Sequence, residues 1–202
     1  MARLPIIIAI FSVVITGRII SPMIFEALAF LFTPKQLEAP AAVPIPVVEK
    51  EWKCPDCTPN EQYVLAELQE HTRISDRKAL ATIMGNIQQE SKFIPNICEG
   101  GARVSYGDCH RGGYGLIQWT SVGRYNNLGK FCDNFGCDPS SLDGQVRYMI
   151  NESVFQRYLP EFEGRGKTIS QYMVPSYYWL GWGIKGNREI YAHDYHAKLV
   201  WA

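Results

Sequence analysis

Apolar positions recur at helical spacing through most of the chain beyond residue 60. The clearest run lies between Ser75 and Pro95, where Leu80, Ile83, Met84 and Ile87 repeat at three- and four-residue intervals. That run predicts one helix. Ser75 is placed to cap it, Asp76 adds negative charge to its first turn, and Pro95 ends it near Lys92 or Phe93 by restricting Ile94. Gly85 weakens the helix interior but permits another element to approach closely. At ~100° per residue, Glu90 projects about 20° from Ile83. A carboxylate there sits at the margin of the apolar face, where burial favours the protonated form. A carboxyl that keeps its proton near neutral pH can act as a general acid.

The same periodicity places further helices. Asn60 is positioned to cap one over Glu61–His71, with Val64, Leu65 and Leu68 on its apolar side. Leu128 to Phe135 reads as a short helix. Ser140 or Ser141 caps another, in which Leu142, Val146, Met149 and Ile150 face inward while Gln145 and Arg147 face outward. After a polar loop over Glu161–Lys167, Thr168 caps a helix that reaches about Val174, before Pro175. Asn187 caps the last one, with Ile190, Tyr191 and Tyr195 packed inward. No sustained alternation of strand type appears. The prediction is a predominantly helical domain of about six helices.

The N-terminal third has a different pattern. Leu4 to Thr16 is apolar apart from Ser12, follows Arg3, and continues into a second apolar stretch over 19–32 broken by Pro22 and Glu26. Its length suits a membrane-associated segment or one buried against a partner, although Arg18 near its middle is costly in a bilayer. Residues 33–59, with Pro34, Pro40, Pro44 and Pro46, read as an extended linker. The expected organisation is an apolar segment (1–32), a linker (33–59) and a folded domain (60–202).

Charge and cysteine content narrow the chemistry. Twenty basic and twenty acidic residues cancel, which argues against an extended nucleic-acid surface. The six cysteines suit an oxidising compartment. Among their fifteen complete pairings, Cys98–Cys109 and Cys132–Cys137 are favoured, since each pair brackets a short loop rich in Gly, Asn or Asp. Cys54-Pro55-Asp56-Cys57 reads as a structural clip. No second such pair supplies further zinc ligands, and no H-E-x-x-H motif is present. Nothing implies a metal or cofactor. His193, Asp194 and His196 spread over different helix faces and read as surface.

Two stretches carry a resemblance. Asn86-Ile87-Gln88-Gln89-Glu90-Ser91-Lys92-Phe93-Ile94-Pro95, followed by Gly113-Tyr114-Gly115-Leu116-Ile117-Gln118-Trp119-Thr120, resembles the phage tail lysozyme family. More broadly it is similar to the lysozyme and soluble lytic transglycosylase superfamily. The resemblance spans roughly residues 61 to 200. It implies a lysozyme-like α+β fold, mainly helical, with a small irregular or β lobe. It implies Glu90 as the catalytic acid, Ser91 at the helix end, and Gln118 and Tyr114 at the cleft. Arg124 would brace the Gln118 loop. A sugar cleft also calls for flat rings, and Trp119 and Tyr178 are candidates to stack on substrate.

The implied activity is cleavage of peptidoglycan glycan strands, by a muramidase or a lytic transglycosylase. The second group would be Asp108, preferred, or Glu99, unless the substrate's own N-acetyl group assists. The implied setting is a phage virion tail, with baseplate proteins as partners, or the host periplasm or inner membrane at the end of infection. The alternative is a non-catalytic structural or wall-binding protein that retained the fold.

Overall fold

The computed structural model describes residues 50–202. The apolar segment 1–32 and most of the Pro-rich stretch lie outside the described residues. Among the described residues, no helix is long and apolar enough to cross a membrane.

Seven α-helices make up the domain: α1 (Pro59–His71), α2 (Arg77–Ser91), α3 (Val122–Phe135), α4 (Leu142–Asn151), α5 (Ser153–Glu163), α6 (Ile169–Leu180) and α7 (Arg188–Lys198). Two short strands, β1 (Trp52–Lys53) and β2 (Val200–Trp201), pair antiparallel with Trp52 opposite Trp201. Trp52 also donates from Nε1 to the Ser75 carbonyl, 3.0 Å away. Residues 50–58, read from sequence as linker, therefore pack onto the domain. Between α2 and α3 lies an irregular lobe with isolated antiparallel bridges at Ile97–Arg103 and Cys98–Tyr114. The result is the helical, lysozyme-like α+β class expected.

Helix α2 is the centre of the core, and Ala79 through Ile87 are buried on every side of it. Its partner on one face is α7. A Cβ on Gly85 would lie 2.4 Å from the Ala192 backbone nitrogen and 2.8 Å from the Arg188 carbonyl. Only glycine permits that approach, as the sequence suggested. The cap differs by one residue from expectation. Asp76, not Ser75, accepts from the Lys78 amide at 2.8 Å, and its second oxygen accepts from the Gly166 amide at 2.8 Å.

Other elements depart further. Thr58, not Asn60, caps α1 through a reciprocal pair with Glu61. Asn60 instead donates to the Phe93 carbonyl at 2.9 Å. Helix α5 takes in the first residues of the expected Glu161–Lys167 loop and ends at Glu163, because Phe155, Leu159 and Phe162 bury one stripe. Helix α6 runs through Pro175 to Leu180, and buried Tyr172, Ser176 and Trp179 offset the hydrogen bond that proline removes. In α7 the inward positions belong to Arg188, Ala192 and Tyr195, and Ile190 is exposed. Disulfides join Cys54–Cys57, Cys98–Cys109 and Cys132–Cys137.

Candidate active site

Helix α2 ends at Ser91, one residue beyond Glu90. Ser91 Oγ donates to the Leu116 carbonyl at 2.7 Å and ties the helix end to the Tyr114–Trp119 loop. That loop closes on itself, with the Trp119 amide donating to the Tyr114 carbonyl at 3.0 Å. Gln145 of α4 supports it from below. Its Oε1 accepts from the Leu116 amide at 2.7 Å, and its Nε2 donates to the Pro95 and Pro139 carbonyls at 2.7 and 2.8 Å. Gly115 has φ +74°, and a Cβ there would meet Gln145 Oε1 at 2.4 Å. Among the described residues, the non-glycine residues in the left-handed region are Lys92, Phe93 and Gln118. All three flank Glu90 or face it across the loop. Backbone strain of this kind is held only where surrounding structure enforces it, and it concentrates at functional sites.

Glu90 opens into a cavity of about 660 Å³. Gln118, Thr120 and Arg124 line one wall, and the Leu180–Ile184 loop with Arg188 forms another. The Glu90 side chain is 15% exposed and pairs with the Arg188 guanidinium, itself 6% exposed. Arg188 is held in turn by the Ile184 and Lys185 carbonyls at 2.9 and 2.8 Å and lies 4.7 Å from the Trp182 ring centroid. Gln89 adds a clamp, its Oε1 accepting from the Asn187 amide at 2.9 Å. Opposite, Arg124 grips buried Glu152 through two bonds of 2.6 Å. Burial pushes the Glu90 carboxyl above its ordinary value, against the opposing pull of Arg188 and Arg124. A half-buried carboxyl with a raised pKa, facing an open cavity, can deliver a proton to a bound oxygen.

The model of the phage tail lysozyme family matches residues 59–173. The chain belongs to the phage tail lysozyme family. No curated protein and no solved structure matches it. The family match stops inside α6. The Gly181–Arg188 wall of the cavity, and with it the cation that pairs with Glu90, comes from chain beyond the matched residues.

Within this phage tail lysozyme domain the residues singled out from sequence separate into two groups. Glu90, Gln118 and Arg124 meet at the cavity. Arg124 does so while bonded to Glu152, which is only 4% exposed. The others lie elsewhere. Tyr114 and Trp119 are fully buried, Tyr114 among Tyr106 and Tyr125, and Trp119 against Tyr148. Neither can stack on a sugar. Ser91 is buried and serves the loop, not a substrate. Tyr178 is exposed on the outer side of α6, stacked on Tyr158, and does not line the Glu90 cavity.

The proposed second carboxylates are also displaced. Glu99 accepts from the Gly113 amide at 2.9 Å, and Asp108 accepts from Ser105 Oγ at 2.5 Å. Neither lines the cavity. Gln145, expected to face outward, is fully buried. It lies three residues after Leu142 and four before Met149, so the helical period already assigned it to the inner face. Trp182, in the loop before α7, and Arg188, at the start of α7, line the Glu90 cavity through the packing of α7 against α2.

Proposed function

We propose that this domain cleaves the glycosidic bond between N-acetylmuramic acid and N-acetylglucosamine in peptidoglycan, with Glu90 as the general acid. One observation carries the reading. Among the described residues, Glu90 is the single carboxylate lining a cavity of about 660 Å³, and it is partly buried there. Protonated Glu90 gives its proton to the leaving glycosidic oxygen as the C1–O bond breaks. With Glu99 and Asp108 outside the cavity and Glu152 engaged by Arg124, the positive charge at C1 falls to the substrate's own N-acetyl oxygen. The Glu90 carboxylate then takes a proton from the attacking hydroxyl. Water serves in a muramidase, and the sugar's 6-hydroxyl in a lytic transglycosylase. Gln118 and Thr120 supply hydrogen bonds to sugar along the wall. Action from a virion tail on a host wall accords with the family's name, and the disulfides accord with work outside a reducing cytosol.

The Glu90–Arg188 pair favours a second reading, since a carboxylate held by arginine can be purely structural. The Glu90→Gln variant separates the two. Under the catalytic reading it folds normally and loses about 100-fold or more in initial rate on purified peptidoglycan. Muropeptide masses from the wild-type digest identify the bond cut and the acceptor. A folded variant with wild-type rate refutes Glu90 as the acid.

A further inference from the structure

Helix α6 is apolar on both sides. Its inner face, with Tyr172, Met173, Ser176 and Trp179, is buried in the domain. Its outer face carries Val174, Tyr177 and Tyr178, which are 56%, 47% and 57% exposed. A helix packed in a domain ordinarily turns polar residues to solvent. Exposed apolar residues that touch one another on one face are candidates for an interaction surface.

The cluster is ordered and directional. The Tyr178 ring stacks on Tyr158 of α5 with centroids 5.8 Å apart and 20° between planes, and Tyr177 packs edge-on against Tyr178 at 5.3 Å. Tyr177 also packs edge-on against Trp182 at 5.5 Å, and Trp182 lines the Glu90 cavity. The aromatic surface is therefore continuous with the wall of the candidate active site. At its far end lies a depression of about 440 Å³, formed by Tyr158, Val174, Pro175 and Tyr178 and rimmed by Glu161, Lys167 and Gln171.

We propose that the outer face of α6 is a glycan-binding surface that holds the same peptidoglycan strand whose cleavage is assigned to Glu90. Flat rings offer stacking faces to the apolar sides of pyranose rings, and Gln171, Glu161 and Lys167 offer donors and acceptors to their hydroxyls. Continuity through Trp182 selects a polymer that also enters the cavity over a separate protein or a second copy of the chain. The role fits a strand substrate. Binding several residues away from the scissile bond lowers dissociation between cuts, as a second linked contact does.

The claim rests on the glycan-cleavage reading only for the identity of the strand, and binding is measurable without turnover. The full-length E90Q chain, with and without Y177A/Y178A, is incubated with purified sacculi and separately with peptide-free glycan strands. Bound fractions are read by co-sedimentation and by fluorescence titration. Both tyrosines are exposed, so the double variant keeps its fold, checked by circular dichroism. Tyr178→Gln serves as a milder second variant. The expected result is about ten-fold weaker binding to both probes, a change of about 1.4 kcal/mol. Undiminished binding overturns the proposal. Weakened binding to sacculi alone also overturns it, by assigning the surface to stem peptides. A changed oligomeric mass with undiminished glycan binding overturns it by assigning the face to a second copy. If wild-type protein releases no glycan fragments while the double variant still loses strand binding, the cleavage reading fails and this surface stands.

Discussion

Replacing Gly85 with alanine tests how the helix pair that carries Glu90 and Arg188 is held together. Two effects oppose each other. Alanine raises helix propensity, worth about 1 kcal/mol in a helix interior. The added methyl, however, enters the α2–α7 contact. Its nearest neighbours are backbone atoms, the Ala192 nitrogen at 2.4 Å, its Cα at 2.7 Å and the Arg188 carbonyl at 2.8 Å. Backbone has no rotamer into which to retreat. Reaching an ordinary contact of 3.4 Å or more requires α7 to move outward by about 1 Å. Overpacking of this kind costs about 1–3 kcal/mol and occasionally more. Rigid backbone neighbours put it at the upper end, so the net expectation is about 2 kcal/mol of destabilisation. Urea denaturation followed by circular dichroism measures it.

The same shift moves Arg188 away from Glu90, and a displacement of about 1 Å at a reacting group can cost about 100-fold. We therefore expect folded G85A to lose activity on purified peptidoglycan out of proportion to its stability. A variant as stable as wild type, or more so, refutes the close contact. A destabilised variant with full activity keeps the contact but removes the link to the site.

Three other perturbations follow from the geometry. Arg188→Gln removes the cation that opposes burial at Glu90, so the already raised carboxyl value rises further. The acid acts while protonated, so the alkaline limb of the kcat/KM profile moves to higher pH. A shift to lower pH contradicts the assigned cause. A raised folded-state value also means that Glu90's contribution to stability is complete below its unfolded value and lost as pH rises through the folded one. E90Q should remove that part of the pH slope in urea melts. Gln145→Leu leaves the Leu116 amide and the Pro95 and Pro139 carbonyls without their partner. At about 1–3 kcal/mol per buried unpaired group, partly offset by apolar burial, a loss of about 3 kcal/mol is expected in urea. A loss below about 1 kcal/mol would mean the loop repairs itself.

Much of this domain was legible along the chain because its information is local. The spacing of Leu80, Ile83, Met84 and Ile87 determined α2 and placed Glu90 at the edge of its buried face. Gly85 announced a close neighbour without naming it. Short loops between cysteines indicated Cys98–Cys109 and Cys132–Cys137, since nearby pairs close with little entropy cost. Order along the chain also linked Glu90 to Gln118 through the family pattern. What the chain could not disclose was decided by packing over long separations. Whether an aromatic is core or cleft depends on what covers it, and composition does not distinguish Trp119, buried against Tyr148, from Trp182, which lines the cavity. Pro175 reads as a helix end, and Glu161–Glu163 as loop, because local propensity takes no account of the burial that overrides it. Arg188 reaches Glu90 across 98 positions of sequence. That meeting exists only because a missing side chain at Gly85 lets two helix backbones touch.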